Sequence, residues 1–463
     1  KQKWLNELNK IFIKASEREK EIFYTSLYHT FLSPVTYSDV DGKYRGVDNN
    51  IHQSNDFTNY TIFSLWDTYR ATHPLFTITQ EKRVNDMIKS MLAHYEQSID
   101  GILPIWSFHA NENWCMIGYH AVSVIADAYV KGIRDYDTEK AWQAVKASST
   151  YKDYDGLNYY MNKGFIPGDK ESESVSKVLE YAYDDYAISQ MAKAMVKKTD
   201  YDNYIERAQN YRNLYHEKTK FLRAKNTDGS WKEPFDPLHV SYYDADYTEG
   251  NAWQYTWYVP QDVMGLISLM GGENEFVLKL DSLFALEDVE NKHLEVEDIS
   301  GLIGQYAHGN EPSQHIAYLY NWAKQPWRTQ ERIHQIMNNL FDNTPDGICG
   351  NEDCGQMSSW YIFSSMGFYP VAPGSNQYII GSPCIKEARI QLKDKNEFVI
   401  KAPKLNKENI YIQSLILNGE KINRSYIYHD EIMQGGELIF NMGNVPNKKW
   451  AVQNSSLPFS ISE

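Results

Sequence analysis

Four short constellations in this sequence carry groups able to do chemistry. The first is Gly350-Asn-Glu-Asp-Cys-Gly-Gln-Met-Ser-Ser-Trp-Tyr-Ile-Phe-Ser-Ser-Met-Gly-Phe-Tyr-Pro370. Its first half is a polar loop with two adjacent carboxylates, Glu352 and Asp353. Its second half reads as a helix, because Met357, Trp360, Tyr361, Phe363 and Ser364–Ser365 recur at three-to-four-residue spacing and Gly367 and Pro370 end the run. Carboxylates delivered from a loop onto a packed helix are held rigidly over a pocket. Acids in a first turn serve equally as helix caps, and spacing alone leaves both roles open. The second constellation is Tyr247-Thr-Glu-Gly-Asn-Ala-Trp-Gln-Tyr-Thr-Trp-Tyr-Val-Pro260, where Glu249 stands among Trp253, Tyr255 and Trp257. Burial among rings disfavours the charged carboxylate and raises its pKa. That is the profile of a general acid working near neutral pH.

In the third, Gly309-Asn-Glu-Pro-Ser-Gln314, Glu311 and Gln314 share one face of a helix entrance, with Pro312 in the first turn. Two oxygen-bearing side chains so spaced can share a hard cation such as calcium; a capping arrangement is the competing reading. The fourth is Trp66-Asp67, a ring that can stack on a sugar beside a carboxylate that can take its hydroxyl hydrogens. An Asp67–Arg70 surface pair is the alternative. Two further loops, Asp39-Val-Asp-Gly-Lys-Tyr-Arg-Gly and Asp342-Asn-Thr-Pro-Asp-Gly, match a calcium loop poorly. The former reads as a turn joining two short strands. His120, inside an apolar run, reads as a satisfied core residue. Glu180, Asp184 and Asp185 give their helix an acidic side, either a solvated face or something more.

The elements that must position these groups are mostly helical. Apolar periodicity predicts helices over 4–31, 57–72, 80–98, 116–132, 138–148, 174–196, 201–222, 260–270, 273–285, 309–324, 330–340 and 357–366. Residues 224–247 form an irregular section too long for an idle connector. About a dozen helices joined by uneven loops suit an (α/α)6 toroid over residues 1–372. After Pro373-Gly the pattern alternates with period two over 388–392, 398–402, 410–417 and 437–442, with turns at Asn418-Gly and Gly435-Gly436. That predicts a small antiparallel β-sandwich over 373–463.

The chain has 463 residues and net charge -15, which argues against a nucleic-acid partner. It has no apolar run long enough for a membrane span. Its 35 tyrosines and 12 tryptophans suit sugar stacking and large helical cores alike. Cys115, Cys349, Cys354 and Cys384 fit no zinc signature and read as buried free thiols, although Cys349 and Cys354 can pair. The opening Lys1-Gln-Lys-Trp-Leu-Asn-Glu-Leu already reads as amphipathic helix, so the chain resembles part of something longer.

Together, YTEGNAWQYTWYVP (247–260), GNEPSQHIAYLY (309–320) and GNEDCGQMSSWYIFSSMGFYP (350–370) resemble glycoside hydrolase family 92. So do the stretches 64–75, 175–185 and 441–448. Members of that family are exo-acting, inverting, calcium-dependent α-mannosidases. The resemblance implies an N-terminal β-sandwich, absent here, that precedes the (α/α)6 domain and helps to line the sugar pocket. It also implies a mannose-containing glycan substrate and a secreted, periplasmic or cell-surface location. By this resemblance Glu249 is the general acid and Asp353 the general base. Glu311 and Gln314, with Asp353, are calcium ligands, and Trp66, Asp67, Asn310 and Glu311 hold the sugar. Some members carry an Asp two residues before the base, where this chain has Asn351. In α-1,2-selective members a His precedes the Glu of the calcium motif, where this chain has Asn310, which points away from that linkage. The alternatives are a non-catalytic glycan-binding protein of the same fold, or another (α/α)6 enzyme such as a phosphorylase. The latter needs a phosphate site, and no cluster of basic residues or glycine-rich loop accompanies the acids.

Overall fold

The computed structural model describes residues 1–287 and 292–462. Most of the predicted periodicities become helices, among them Glu81–Gln97, Thr138–Ser148, Ser174–Ala194, Val263–Met270, Glu273–Ala285, Pro326–Leu340 and Gln356–Met366. Ser174–Ala194 is buried along nearly its whole length. It packs on Ala121–Val130 and Lys198–Arg207. Its acids are therefore not a solvated face: Glu180, Asp184 and Asp185 are fully buried. Buried carboxylates persist only when they are paired and hydrogen-bonded. Asp184 accepts from the Tyr119 backbone N–H (2.9 Å) and Ser123 Oγ (2.7 Å) and meets His120 Nδ1 at 2.8 Å. Asp185 accepts from the hydroxyls of Tyr119 and Tyr160 and from Arg207 Nε. His120 is a partnered core residue, as read from the sequence.

Several expected helices break. Residues 4–31 split into helix Gln2–Leu8, strand Ile11–Lys14 and helix Glu17–His29. The strand has an in–out alternation, with Ile11 and Ile13 buried. Ser16 and Glu19 form a reciprocal capping box that starts the next helix. Both signals stand in the sequence, but the apolar residues on either side masked them. Residues 57–72 instead form strands Tyr60–Thr61 and Phe63–Ser64, then the single-turn helix Leu65–Thr68. Residues 309–324 are two 3-10 pieces, Glu311–Ser313 and Ile316–Asn321, rather than one α-helix. The helix at 201–222 is Lys198–Arg207, followed by a 3-10 turn and a two-stranded hairpin. The Asp39–Gly42 turn leads into strand Lys43–Arg45, and a separate turn at 46–50 joins that strand to Ile51–Gln53.

All four predicted C-terminal strands form, as Glu387–Gln391, Glu397–Lys401, Tyr411–Leu417 and Gly436–Gly443. Two features differ from expectation. Glu397–Lys401 and Gly436–Gly443 pair in parallel, so the sheet is mixed rather than antiparallel. In addition, Ile11–Lys14 joins the sheet edge, pairing Ile11 with Ile390 and Ile13 with Ala388. The six-stranded sheet thus borrows a strand from the start of the chain, and Lys14 closes the contact on Glu387 at 2.8 Å. A three-stranded sheet of Phe368–Tyr369, Gln377–Ile380 and Tyr426–Tyr428 follows directly from the helix Gln356–Met366. The cysteines are free; Cys115 is exposed rather than buried, and the other three are half-buried. No helix among the described residues is long and apolar enough to cross a membrane.

Candidate active site

The helix Gln356–Met366 is buried along its whole length, and its N-terminus separates the roles of Glu352 and Asp353. The Glu352 carboxylate accepts from the backbone N–H groups of Gly355 (2.6 Å) and Ser358 (3.1 Å). It caps the first turn, whose N–H groups have no partner within the helix. Glu352→Ala is therefore expected to cost about 1 kcal/mol of stability, read as a lower urea midpoint. An unchanged midpoint would show that the cap carries nothing.

Asp353 points elsewhere. Its backbone is left-handed (φ 49°), as are Cys354 (55°) and Gly355 (96°). A non-glycine residue in that region costs about 1–2 kcal/mol, and such strain persists where surrounding contacts over-determine the position. The twist brings the Asp353 carboxylate to Asp67 and Glu311, and one oxygen from each lies within 4.8 Å of the others.

Asp67 arrives on the turn Leu65–Thr68, where Ser64 Oγ donates to it. It does not pair with Arg70 at the surface. Both are buried, and Arg70 pairs with Glu180 at 3.2 Å. The Arg70 guanidinium also lies over the rings of Trp66 (5.1 Å), Tyr69 (4.8 Å) and Tyr258 (5.0 Å). Trp66 is only 4% exposed, and its Nε1 donates to Glu180 at 3.0 Å. Burial would raise the Glu180 pKa, but Arg70 and His120 outweigh it and keep the carboxylate charged. His120 meets the other Glu180 oxygen at 3.1 Å. Burial opposes its protonation, yet Asp184 and Glu180 lift its pKa to about 9. The floor of the site is thus a charge-balanced network.

The carboxylate cluster above that floor is not balanced. Burial, then repulsion from Asp353, pushes Asp67 well above the ordinary carboxylate range. Burial, then Asp67 and Asp353, does the same to Glu311. Glu311 Oε1 is buried without a hydrogen-bond partner. Three crowded carboxylates with an unused buried oxygen fit a hard divalent cation, which takes oxygen ligands. Gln314, expected as a ligand beside Glu311 and Asp353, is buried on the Glu311 turn, where its N–H donates to the Glu311 carbonyl at 3.0 Å, and its Oε1 accepts from Gln356 Nε2 at 2.7 Å. Gln356 is fixed in turn, because its Oε1 accepts from the N–H groups of Ala71 (2.9 Å) and Thr72 (3.2 Å). Sequence reading missed Gln356 as the link between the Asp67 and Gln314 segments, although it lies inside the 350–370 motif. The sequence offers Asp67 as a sugar contact or a surface partner of Arg70, and neither reading includes its place in the carboxylate cluster.

Glu249 lies close enough to the cluster for the Asp353 charge to act on it. Its backbone too is left-handed (φ 46°). Asn310 Nδ2 donates to the Glu249 carbonyl at 2.8 Å, and Thr248 N–H donates to Ser176 Oγ at 2.9 Å. Asn251 and Gln254 form a capping box immediately after it. Asn310 therefore ties the Glu249 loop to the Glu311 turn. Burial, then the negative charges of Asp298, Asp353 and Glu173, raises the Glu249 pKa to about 8. Asp353 is raised to about 6 by burial, then Glu352 and Asp298. At neutral pH the arrangement holds a protonated carboxyl at Glu249 and a largely ionised carboxylate at Asp353. Two carboxyls pushed apart in this way suit an acid and a base. Asp298, which acts on both, lies in a segment without periodicity or motif, and sequence reading missed it.

The profile of the glycosyl hydrolase family 92 catalytic domain matches residues 1–444. A Bacteroides thetaiotaomicron family 92 α-mannosidase, solved in complex with mannoimidazole, superposes with TM-score 0.96 at 47% identity, covering 99% of this chain and 61% of that one. A second structure from that organism, described as an inverting mannosidase of the family, superposes with TM-score 0.91 at 36% identity, covering 100% of this chain and 64% of that one. An uncharacterized secreted glycosidase of Arthroderma benhamiae is 27% identical over 99% of this chain and 58% of its own length. The chain spans about three fifths of the length of these relatives. With most of its length matched by the family profile, this chain belongs to glycosyl hydrolase family 92.

Proposed function

We propose that this chain is the catalytic portion of an inverting, calcium-dependent exo-α-mannosidase that removes terminal α-linked mannose from glycans outside the cytoplasm. The observation that carries the reading is the pairing of a carboxyl raised to about 8, Glu249, with a carboxylate near 6, Asp353, both on left-handed backbone around one buried acidic cluster. The inverting mannosidase and the mannoimidazole complex among the similar structures support it, as does the secreted glycosidase for location. The helical part, about residues 1–372, closes in this reading into an (α/α)6 toroid, with 373–463 as the smaller β domain. An N-terminal β-sandwich supplies the remaining wall of the sugar pocket.

In this reading Glu249 donates its proton to the glycosidic oxygen. Asp353 takes a proton from a water on the opposite ring face, which needs a gap of roughly 6.5–9.5 Å between the carboxyls. Asp67, Glu311 and Asp353 would hold the calcium ion, with Gln314 of the Glu311 turn as a further oxygen ligand, and the ion would supply Lewis-acid polarisation of sugar hydroxyls. Trp66 and Arg70 form the floor beneath, and Asn310 keeps the acid's loop in register with Glu311. The test is digestion of α-1,2-, 1,3-, 1,4- and 1,6-mannobioses followed by NMR. β-Mannose is expected as the first anomer released. Release of α-mannose would overturn the inverting assignment, and binding without release would favour a glycan-binding protein.

A further inference from the structure

In the calcium reading above, on which this inference rests, Gln314 gives an amide oxygen to the cation. An amide binds a hard cation through its oxygen and turns it away with its N–H2. A glutamine side chain does not choose between the two by itself, because its terminal torsion is broad and roughly two-fold. The Gln314 backbone is held on both sides: its N–H donates to the Glu311 carbonyl at 3.0 Å, and its carbonyl accepts from Trp360 Nε1 at 2.8 Å. The direction of its amide is left to the neighbouring side chain, Gln356.

Gln356 is fully buried, and its own orientation is dictated by backbone. Its Oε1 accepts from the N–H groups of Ala71 (2.9 Å) and Thr72 (3.2 Å). These begin the helix Thr72–Thr79, whose N-cap, Ala71, has no capping side chain of its own. Two buried backbone donors are met by an oxygen and not by an N–H2, so the Gln356 nitrogen must face the other way. There it donates to Gln314 Oε1 at 2.7 Å. Direction thus passes from backbone N–H to Gln356, and from Gln356 to Gln314. The Gln314 oxygen keeps a second lone pair for a cation. Its Nε2, on the other arm of the amide, is buried without a hydrogen-bond partner among the described residues. A buried N–H2 left unpaired is costly, so this orientation is imposed on Gln314 by Gln356. The same residue reaches the other ligand segments: its N–H donates to the Asp353 carbonyl at 3.1 Å, and Ala71 and Thr72 directly follow the Asp67 turn. We propose that Gln356 is a positioning residue of the cation site, holding Gln314 so that its amide oxygen, and not its N–H2, is available to a divalent cation.

The readout is calcium affinity, measured by titration calorimetry on the full-length enzyme. Gln356→Met keeps the side-chain length and removes both polar arms, and it is expected to weaken calcium binding by about 10- to 100-fold. Gln314→Met is expected to weaken it to a similar extent. The double variant should lose no more than the larger single loss, because Gln356 acts through Gln314. The bonds to Ala71 and Thr72 are read separately, as a lower melting temperature of the cation-free protein in Gln356→Met. Losses that multiply in the double variant would overturn the proposal in favour of a merely structural role for Gln356. Unchanged affinity in either single variant would overturn it too. If Gln356→Met does not fold, a crystal structure of the calcium-bound wild type decides. Gln314 Oε1 is expected at about 2.3–2.6 Å from the ion while still accepting from Gln356, and an ion that Gln314 does not touch would overturn the proposal. Wild-type enzyme that binds no calcium sinks the cation reading itself and is thereby distinguished.

Discussion

Glu249→Gln is expected to cut turnover of a mannobiose by about 10²- to 10⁴-fold without unfolding the chain. The substitution keeps the side-chain size on a backbone that is already left-handed and removes only the transferable proton. A leaving group that departs unaided, such as 2,4-dinitrophenolate, should recover most of the loss, because protonation is no longer needed. Asp353→Asn should be as damaging, yet it should not recover with that substrate, because water activation lies on the other ring face. Near-normal mannobiose turnover in either variant would remove that residue from its role. The pH dependence follows with a definite sign. In the proposed mechanism Glu249 must hold its proton, and burial with Asp298, Asp353 and Glu173 raises its pKa to about 8. The alkaline limb of kcat/KM should therefore lie above the ordinary glutamate value of about 4.3. A limb that does not move in Glu249→Asp would assign it to another group.

Removing divalent cations with EDTA is expected to abolish activity, and calcium to restore it. The physical reason is the crowding of Asp67, Glu311 and Asp353 within 4.8 Å. Without a cation, Asp67 and Glu311 titrate well above their ordinary range. Between the unfolded values of about 4 and those raised values, the folded chain holds more protons than the unfolded one. Stability of the cation-free protein should therefore fall as pH rises through that window. Calcium replaces those protons, so it should flatten the decline and raise the melting temperature. At a free concentration 100-fold above Kd, the gain is about 2.7 kcal/mol. Glu311→Gln should lose most of that stabilisation. A chelated protein with unchanged activity and an unchanged melting temperature would rule out the metal role.

Much of the helical frame was legible because local periodicity and burial agree. Thr138–Ser148 and Glu273–Ala285 have the predicted bounds, each with an apolar stripe on one face. Failures came where a non-local partner decided the outcome. Ile11–Lys14 is a strand because Glu387–Gln391 lies beside it, and no reading of residues 4–31 as one amphipathic run contains that sheet edge. The parallel pairing of Glu397–Lys401 with Gly436–Gly443 is equally invisible in two separate period-two runs. Over residues 309–324, periodicity alone does not separate one α-helix from the two buried 3-10 pieces that form, Glu311–Ser313 and Ile316–Asn321.

By itself the sequence determined which residue types were available for chemistry: Glu249 among rings, Glu352-Asp353 before a helix, Glu311 and Gln314 at one entrance, and Asp67 beside Trp66. Local spacing could not divide Glu352 from Asp353, since both sit within capping distance of the same helix. Tertiary structure divided them. Two backbone N–H groups hold Glu352 as the cap, and a left-handed turn sends Asp353 to Asp67 and Glu311. Tertiary structure also decided between the two readings of Glu180 and Asp184, which are the buried partners of Arg70 and His120, and brought Asp298 beside Asn351. The reason is common to all of these. A carboxylate's role depends on its desolvation and on the charges around it, and both are set by segments far away in the chain.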